Sequence, residues 1–190
     1  RLVRDWSSDV CSSDLLDFPK NGTISSISTK PESSQLFFSF SNYIRPQEIF
    51  EYDLSVKQLK SIWSQSVPGF NADEFTSKQT FYKSKDGTLI PMFISHLNGI
   101  ELNNDNPLLL YGYGGFDIPI LPNFSTKYFS WMKMGGIVAV ANLRGGGEYG
   151  EKWHRQGMLH NKQNVFDDFA AAAEYLHQEG YSQPSKPVIE

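Results

Sequence analysis

Gly145, Gly147 and Gly150, in "GIVAVANLRGGGEYGEKWHRQG", make a Gly-x-Gly-x-x-Gly that follows an apolar run. Glycines so spaced after a strand can let a dinucleotide pyrophosphate rest on backbone N–H groups at a helix N-terminus. Such a site also needs an acidic residue about 20 positions on, at the end of the next strand. Here Asp167 and Asp168 fall within a helical pattern, and Glu148 sets a carboxylate where phosphate would sit. No Lys-Ser or Lys-Thr follows, so this is not a nucleoside-triphosphate loop either. The glycines read as a structural turn.

"YGYGGF", Tyr111 to Phe116, also closes an apolar run, "PLLL". In α/β-hydrolases the loop after the third strand supplies a donor to the oxyanion of a tetrahedral intermediate, and glycines there let backbone approach substrate. The competing reading is a buried Gly/Tyr turn in which the tyrosines only pack. No Gly-x-Ser-x-Gly occurs in the chain. In that fold the base histidine comes last in sequence. His96, His154, His160 and His177 are therefore expected to be solvated or hydrogen-bonded rather than basic catalysts. Asp167 and Asp168 are adjacent on a helix and point apart, which argues against a shared acid/base pair. They read instead as charge and hydrogen bonding near a helix N-terminus, where carboxylates are favoured.

The elements that would hold these loops are legible in the patterning. The chain has 190 residues, 39% hydrophobic and 14% aromatic, with a formal charge of -4, enough apolar material for a core. The mild acidity offers no field for nucleic acid or an anionic membrane. No apolar run approaches the roughly 20 residues of a membrane span, and no secretory h-region is seen, so a cytoplasmic protein is expected. Residues 1–15 stand apart: "DWSSDVCSSDL" resembles a translated sequencing adapter and is set aside as non-native, Cys11 with it. No other cysteine remains for a disulfide, a zinc-thiolate site or a nucleophile.

From residue 16 to 70 the pattern is of short strands. Apolar runs Leu36–Phe40 and Ile49–Tyr52 flank polar turns, and "DLSVKQ" joins "EIFEY" to "LKSIW" as a hairpin, as in one propeller blade or part of a sandwich. From 71 onward "SKQTFYKSKDGTLIPMFISHL" turns at Asp86-Gly87, with Pro91 favouring an edge strand. "LLLYGYGG" and "GIVAVANLRGGG" read as parallel strands buried on both faces. "NKQNVFDDFAAAAEYLHQEG" reads as a helix on Val165, Phe169, Ala172 or Ala173 and Leu176, capped by Gly180. The Ala170–Ala173 run is read as close packing on the sheet.

Taken in order, "PLLLYGYGGF", "VAVANLRGGGEYGEKWH" and "NKQNVFDDFAAAAEYL" resemble the catalytic domain of the prolyl oligopeptidase family of serine peptidases. "SNYIRPQEIFEYDL" resembles the end of that family's β-propeller and "YKSKDGTLIPMFI" the entry to its hydrolase domain. The likeness runs from about Asp17 to Glu190. A cousin that cleaves after basic residues carries Gly-Ser where this chain has Gly114-Gly115.

The resemblance implies the end of a β-propeller over residues 16–70 and the first half of an α/β-hydrolase over 71–190. It implies that Tyr113 donates one oxyanion hydrogen bond and that Phe116 lines the pocket for a substrate proline ring. Arg144 and Glu148 are expected to pair. The Ser, Asp and His of the triad would all lie beyond Glu190, which makes the chain an internal, inactive fragment. The substrates implied are short proline-containing peptides, cleaved after proline by a monomeric parent that needs no metal or organic cofactor. Left open are a related oligopeptidase or esterase of the same fold, and a binding module that has lost its triad.

Overall fold

Alternating apolar residues build the first sheet. The computed structural model describes residues 21–190, so the readings made on residues 1–15, the adapter likeness and Cys11, lie outside the described residues. Strands β1 (Thr23–Thr29), β2 (Gln35–Asn42), β3 (Arg45–Asp53) and β4 (Gln58–Ser64) form an antiparallel meander in that order. Leu36 faces Tyr52 and Phe38 faces Phe50, so period 2 gathers Phe38, Phe40, Phe50 and Tyr52 on one face. The β3–β4 turn is tied by Asp53, whose carboxylate accepts from the Ser55 N–H and hydroxyl.

A short connector then leads to β5 (Phe75–Lys83), and the Ser84–Thr88 turn leads back along β6 (Leu89–Leu97). Gly87 is left-handed at φ +83°, and Asp86 Oδ1 accepts from the Thr88 N–H at 3.0 Å. The second sheet also holds β7 (Leu108–Gly112), β8 (Ile137–Ala141) and β9 (Pro187–Ile189), in the order β5-β6-β8-β7-β9. β7, β8 and β9 are parallel, whereas β6 runs antiparallel to β8. Pro91 is thus not on an edge, because β6 lies between β5 and β8. It is tolerated because it stands at the end of the β6–β8 pairing, where its carbonyl accepts from the Asn142 N–H at 2.9 Å and no donor is required of it.

The parallel strands are apolar on both faces because helices cover both. Helix α1 (Thr126–Lys133), between β7 and β8, packs Tyr128, Phe129 and Met132 against Leu109, Val138 and Val140. After the short α2 (Glu151–Arg155), α3 (Gln163–Gln178) packs Val165, Ala172 and Leu176 against Leu108, Leu110, Ile137 and Ala139 on the opposite face. Right-handed crossovers in opposite directions demand this: β7 passes to β8 on one side, and β8 crosses β7 to reach β9 on the other. The helices that follow β7 and β8 thus lie on opposite faces, while the loops leaving these strands pack on each other at the carboxyl ends. Helix α3 ends as its sequence suggests. Gly180 is at φ +83° and the Tyr181 N–H reaches back to the Leu176 carbonyl.

Candidate functional site

Tyr113 to Ile118 form the loop that emerges from the carboxyl end of β7. Gly114 makes its tight entry possible. It is left-handed at φ +58°, and a Cβ there would come within 2.5 Å of Val165 Cγ1 and 3.0 Å of the Arg144 carbonyl oxygen. The Gly114 carbonyl accepts from Lys162 Nζ at 2.8 Å. Phe116 and Asp117 follow with φ of 55° and 58°, two consecutive left-handed residues that have a Cβ. Each costs of order 1–3 kcal/mol, and such strain persists only where neighbours enforce it. Here the Asp117 N–H is held by the Gly145 carbonyl and the Ile118 N–H by that of Gly115.

What the strained loop presents is two aromatic side chains. Tyr113 is 43% exposed and Phe116 is 82% exposed, with ring centroids 6.5 Å apart. The packing-only reading of "YGYGGF" therefore fits Tyr111, which lies against the α1-side core, but not Tyr113. A phenol O–H beside an open apolar ring can donate one hydrogen bond to a charged oxygen and hold a small ring next to it.

The loop after β8 backs this one. A Cβ on Gly145, itself at φ +94°, would meet the Gly114 carbonyl at 2.7 Å, and one on Gly147 the Asp117 carbonyl at 2.5 Å. Backbone donors of the glycine motif are used internally. The N–H groups of Gly145, Gly146 and Gly150 go to the carbonyls of Trp153, Leu143 and Gly147. An anion would find these three donors occupied, which agrees with rejecting a dinucleotide cradle.

Arg144 and Glu148 do not pair with each other. Arg144, 2% exposed, turns inward. Its Nε and Nη2 donate to Asp168 at 2.9 and 2.6 Å, and its Nη1 donates to Asp86 at 2.6 Å. Ser84 Oγ also donates to Asp168, at 2.5 Å, and the Tyr82 phenol to the Asp168 carbonyl. Asp168 is thus hydrogen-bonded as expected, but as a buried anchor on the sheet face of α3 rather than as charge at its N-terminus. Asp167 points elsewhere and accepts from Gln163. Hydrogen bonding to Arg144 lowers the Asp86 carboxyl to about 2, and bonding to Asp168 raises the Arg144 pKa further above its usual value. Glu148 instead accepts the Ile120 N–H at 2.9 Å and an Asn142 side-chain N–H at 3.1 Å.

Three of the histidines are satisfied, as expected. The Nδ1 atoms of His96, His154 and His177 lie 2.7, 2.8 and 3.2 Å from the carbonyls of Leu97, Gly145 and Ser182. His160 lies in the one-turn helix Leu159–Asn161. Among the described residues no group of three or more His, Cys, Asp or Glu side chains could hold a metal ion. None of the helices described is long and apolar enough to cross a membrane. Asp86, which reads only as a turn residue, and Lys162, an ordinary surface lysine by sequence, are the members of this arrangement that the sequence reading misses.

Residues 122–190 match a family model described as the prolyl oligopeptidase family, and residues 3–65 match one described as the prolyl oligopeptidase N-terminal beta-propeller domain. Tyr113 and Phe116 fall between the two matches. A prolyl endopeptidase of Elizabethkingia meningoseptica is 44% identical over 167 residues, 88% of this chain and 24% of that protein. A dual function macrocyclase-peptidase of Amanita bisporigera is 39% identical, over 87% of this chain and 23% of that protein. Prolyl oligopeptidase B of Galerina marginata, solved bound to a 25mer macrocyclization substrate, superposes with a TM-score of 0.82 at 36% identity, over 88% of this chain and 24% of that one. The chain thus spans about a quarter of the length of these relatives. The four-stranded sheet is the end of a β-propeller and the five-stranded sheet belongs to an α/β-hydrolase.

Proposed function

The chain belongs to the prolyl oligopeptidase family, and from that premise we propose that it is part of a serine peptidase that cleaves short peptides on the carboxyl side of proline. The observation that carries this reading is the Tyr113–Phe116 loop, a strained, glycine-locked turn that offers a hydroxyl donor and an open aromatic ring side by side. In the reaction, a serine hydroxyl attacks the carbonyl carbon of the proline itself while a histidine takes its proton. The oxygen that becomes negative receives the Tyr113 O–H and a backbone N–H next to the serine, and Phe116 packs on the proline ring. The intermediate then collapses, the amine leaves with the proton from histidine, and water hydrolyses the acyl-serine by the same steps in turn.

The serine, aspartate and histidine lie beyond Glu190 in this reading, and the 190-residue chain alone binds without cleaving. The parent acts in the cytoplasm as a monomer. The test is to incubate the full-length protein with peptides holding one internal proline, and to map products by mass spectrometry. Cleavage on the carboxyl side of proline is expected, together with serine labelling by a fluorophosphonate. Cleavage elsewhere, or an unlabelled protein, contradicts the proposal.

A further inference from the structure

The segment that continues the substrate-facing loop, Ile120 to Phe124, is touched by the propeller sheet. Thr23 Oγ1 donates to the Pro122 carbonyl at 2.7 Å, and the Phe124 N–H donates to Ser41 Oγ at 3.0 Å. The β2–β3 turn also sends Tyr43 into the α1-side core of the hydrolase sheet. Asn42 Oδ1 accepts the Ile44 N–H, an Asx turn that sets the direction of the side chain between them. Tyr43 is 3% exposed, its ring 5.4 Å from that of Phe93 and 6.3 Å from that of Tyr128.

Its phenol oxygen is buried with no protein partner, and so is Glu148 Oε2. The two groups share a neighbour, since Ile120 packs on the cluster that holds Tyr43 and gives its N–H to Glu148 Oε1. The phenol pKa is raised first by burial, and then by the fields of Tyr128, Glu148 and Tyr111. Glu148 is also the residue whose other oxygen holds the Ile120 N–H, four positions beyond Phe116, and its carboxylate folds back over Gly146, where any Cβ would collide with Oε2. Buried polar atoms in native proteins are nearly always partnered, and a buried water is the usual mediator between a donor and an acceptor that do not touch.

We infer that the Tyr43 phenol and Glu148 Oε2 are joined through one buried water, and that Tyr43 is thereby a positioning residue for the substrate loop. The phenol donates to the water and the water donates to the carboxylate. This fixes Glu148 in the orientation that holds Ile120, and so couples the last propeller blade to the loop bearing Tyr113 and Phe116. The inference deepens the proposed function and rests on that reading of the loop.

The experiment uses the full-length protein as wild type, Tyr43→Phe, Glu148→Gln and the double variant, with Tyr52→Phe, in the propeller core, as control. The readouts are amide hydrogen exchange at Ile120, and kcat and KM for a proline peptide. Tyr43→Phe is expected to speed Ile120 exchange about tenfold, as for one lost charge-assisted hydrogen bond. It should raise KM several-fold, and the double variant should be no worse than Glu148→Gln. Tyr52→Phe should leave Ile120 unchanged. Unchanged Ile120 exchange in Tyr43→Phe, additive effects, or an equal response in Tyr52→Phe would overturn the inference. Ile120 responding as expected in a protein that does not cleave after proline would sink the peptidase reading and leave the water link standing.

Discussion

Removing Asp168 isolates a positive charge in the core, and the structure sets the size of the penalty. Arg144 is 2% exposed and has two carboxylate partners of different kinds. Asp168 is fully buried and takes three contacts from the guanidinium at 2.6 to 3.2 Å, besides the Ser84 hydroxyl. Asp86 is 47% exposed, so water screens what it contributes. In Asp168→Ala the guanidinium keeps only the screened carboxylate, with the Ser84 and Thr88 hydroxyls at 3.3 Å, and one buried cation is left undercompensated, a loss of about 3–5 kcal/mol. That is a factor of roughly 100 to 5,000 in the folding equilibrium, and a large part of the 5–15 kcal/mol that holds a typical domain. Asp86→Ala removes a half-solvated partner and should cost about 1 kcal/mol. Replacing both buried charges, as Arg144→Met with Asp168→Leu, should recover most of the loss. Urea unfolding of the full-length protein and these variants reads all three values. If Asp168→Ala costs no more than Asp86→Ala, Arg144 is not held in the way described. Because the Arg144 carbonyl packs against Gly114, the same variant should also lower turnover in the fraction that remains folded.

The Asp86 carboxyl stands at about 2 in the folded protein against an ordinary 3.8. A depressed folded-state value means that its contribution is present above pH 4 and is lost as pH falls from about 4 to about 2. A carboxyl NMR titration should show Asp86 midway below pH 3, and a midpoint near 4 would deny its bond to Arg144. The 190-residue chain alone should aggregate, since Val188 and Ile189 lie exposed on the outer strand β9 and Ile27, Ile62 and Trp63 lie open on the propeller sheet. Light scattering during a thermal scan checks this, and a clean cooperative melt without scattering would contradict it.

The parts legible in the sequence are those that local pattern determines. β7 and β8 announce themselves because both of their faces are buried, the β5–β6 turn because Asp86-Gly87 suits a left-handed glycine, and α3 because its apolar stripe ends at Gly180. Helix α1 is only eight residues long, too short for a stripe to stand out, and the sequence reading does not isolate it. Pro91 misleads because the rule against proline in central strands concerns the missing donor, and here the ladder has already ended on that side. The partners of Arg144 lie 24 and 58 residues away, chosen by how the sheet brings β8, α3 and the β5–β6 turn together, so the near and oppositely charged Glu148 is the natural but wrong choice. Tyr43 reads as one more strand-end aromatic. Only the docking of the blade onto Phe93 and Tyr128 gives it a place near the site.

The most direct measurement is the steady-state kinetics of Tyr113→Phe in the full-length protein with a proline peptide. Losing a hydroxyl that meets only the developing oxyanion lowers kcat by about 100- to 1,000-fold and leaves KM nearly unchanged, since substrate binding gains nothing from it. A Tyr113→Phe enzyme with undiminished kcat, or one in which KM alone has risen, would show that the exposed phenol beside Phe116 is not the oxyanion donor.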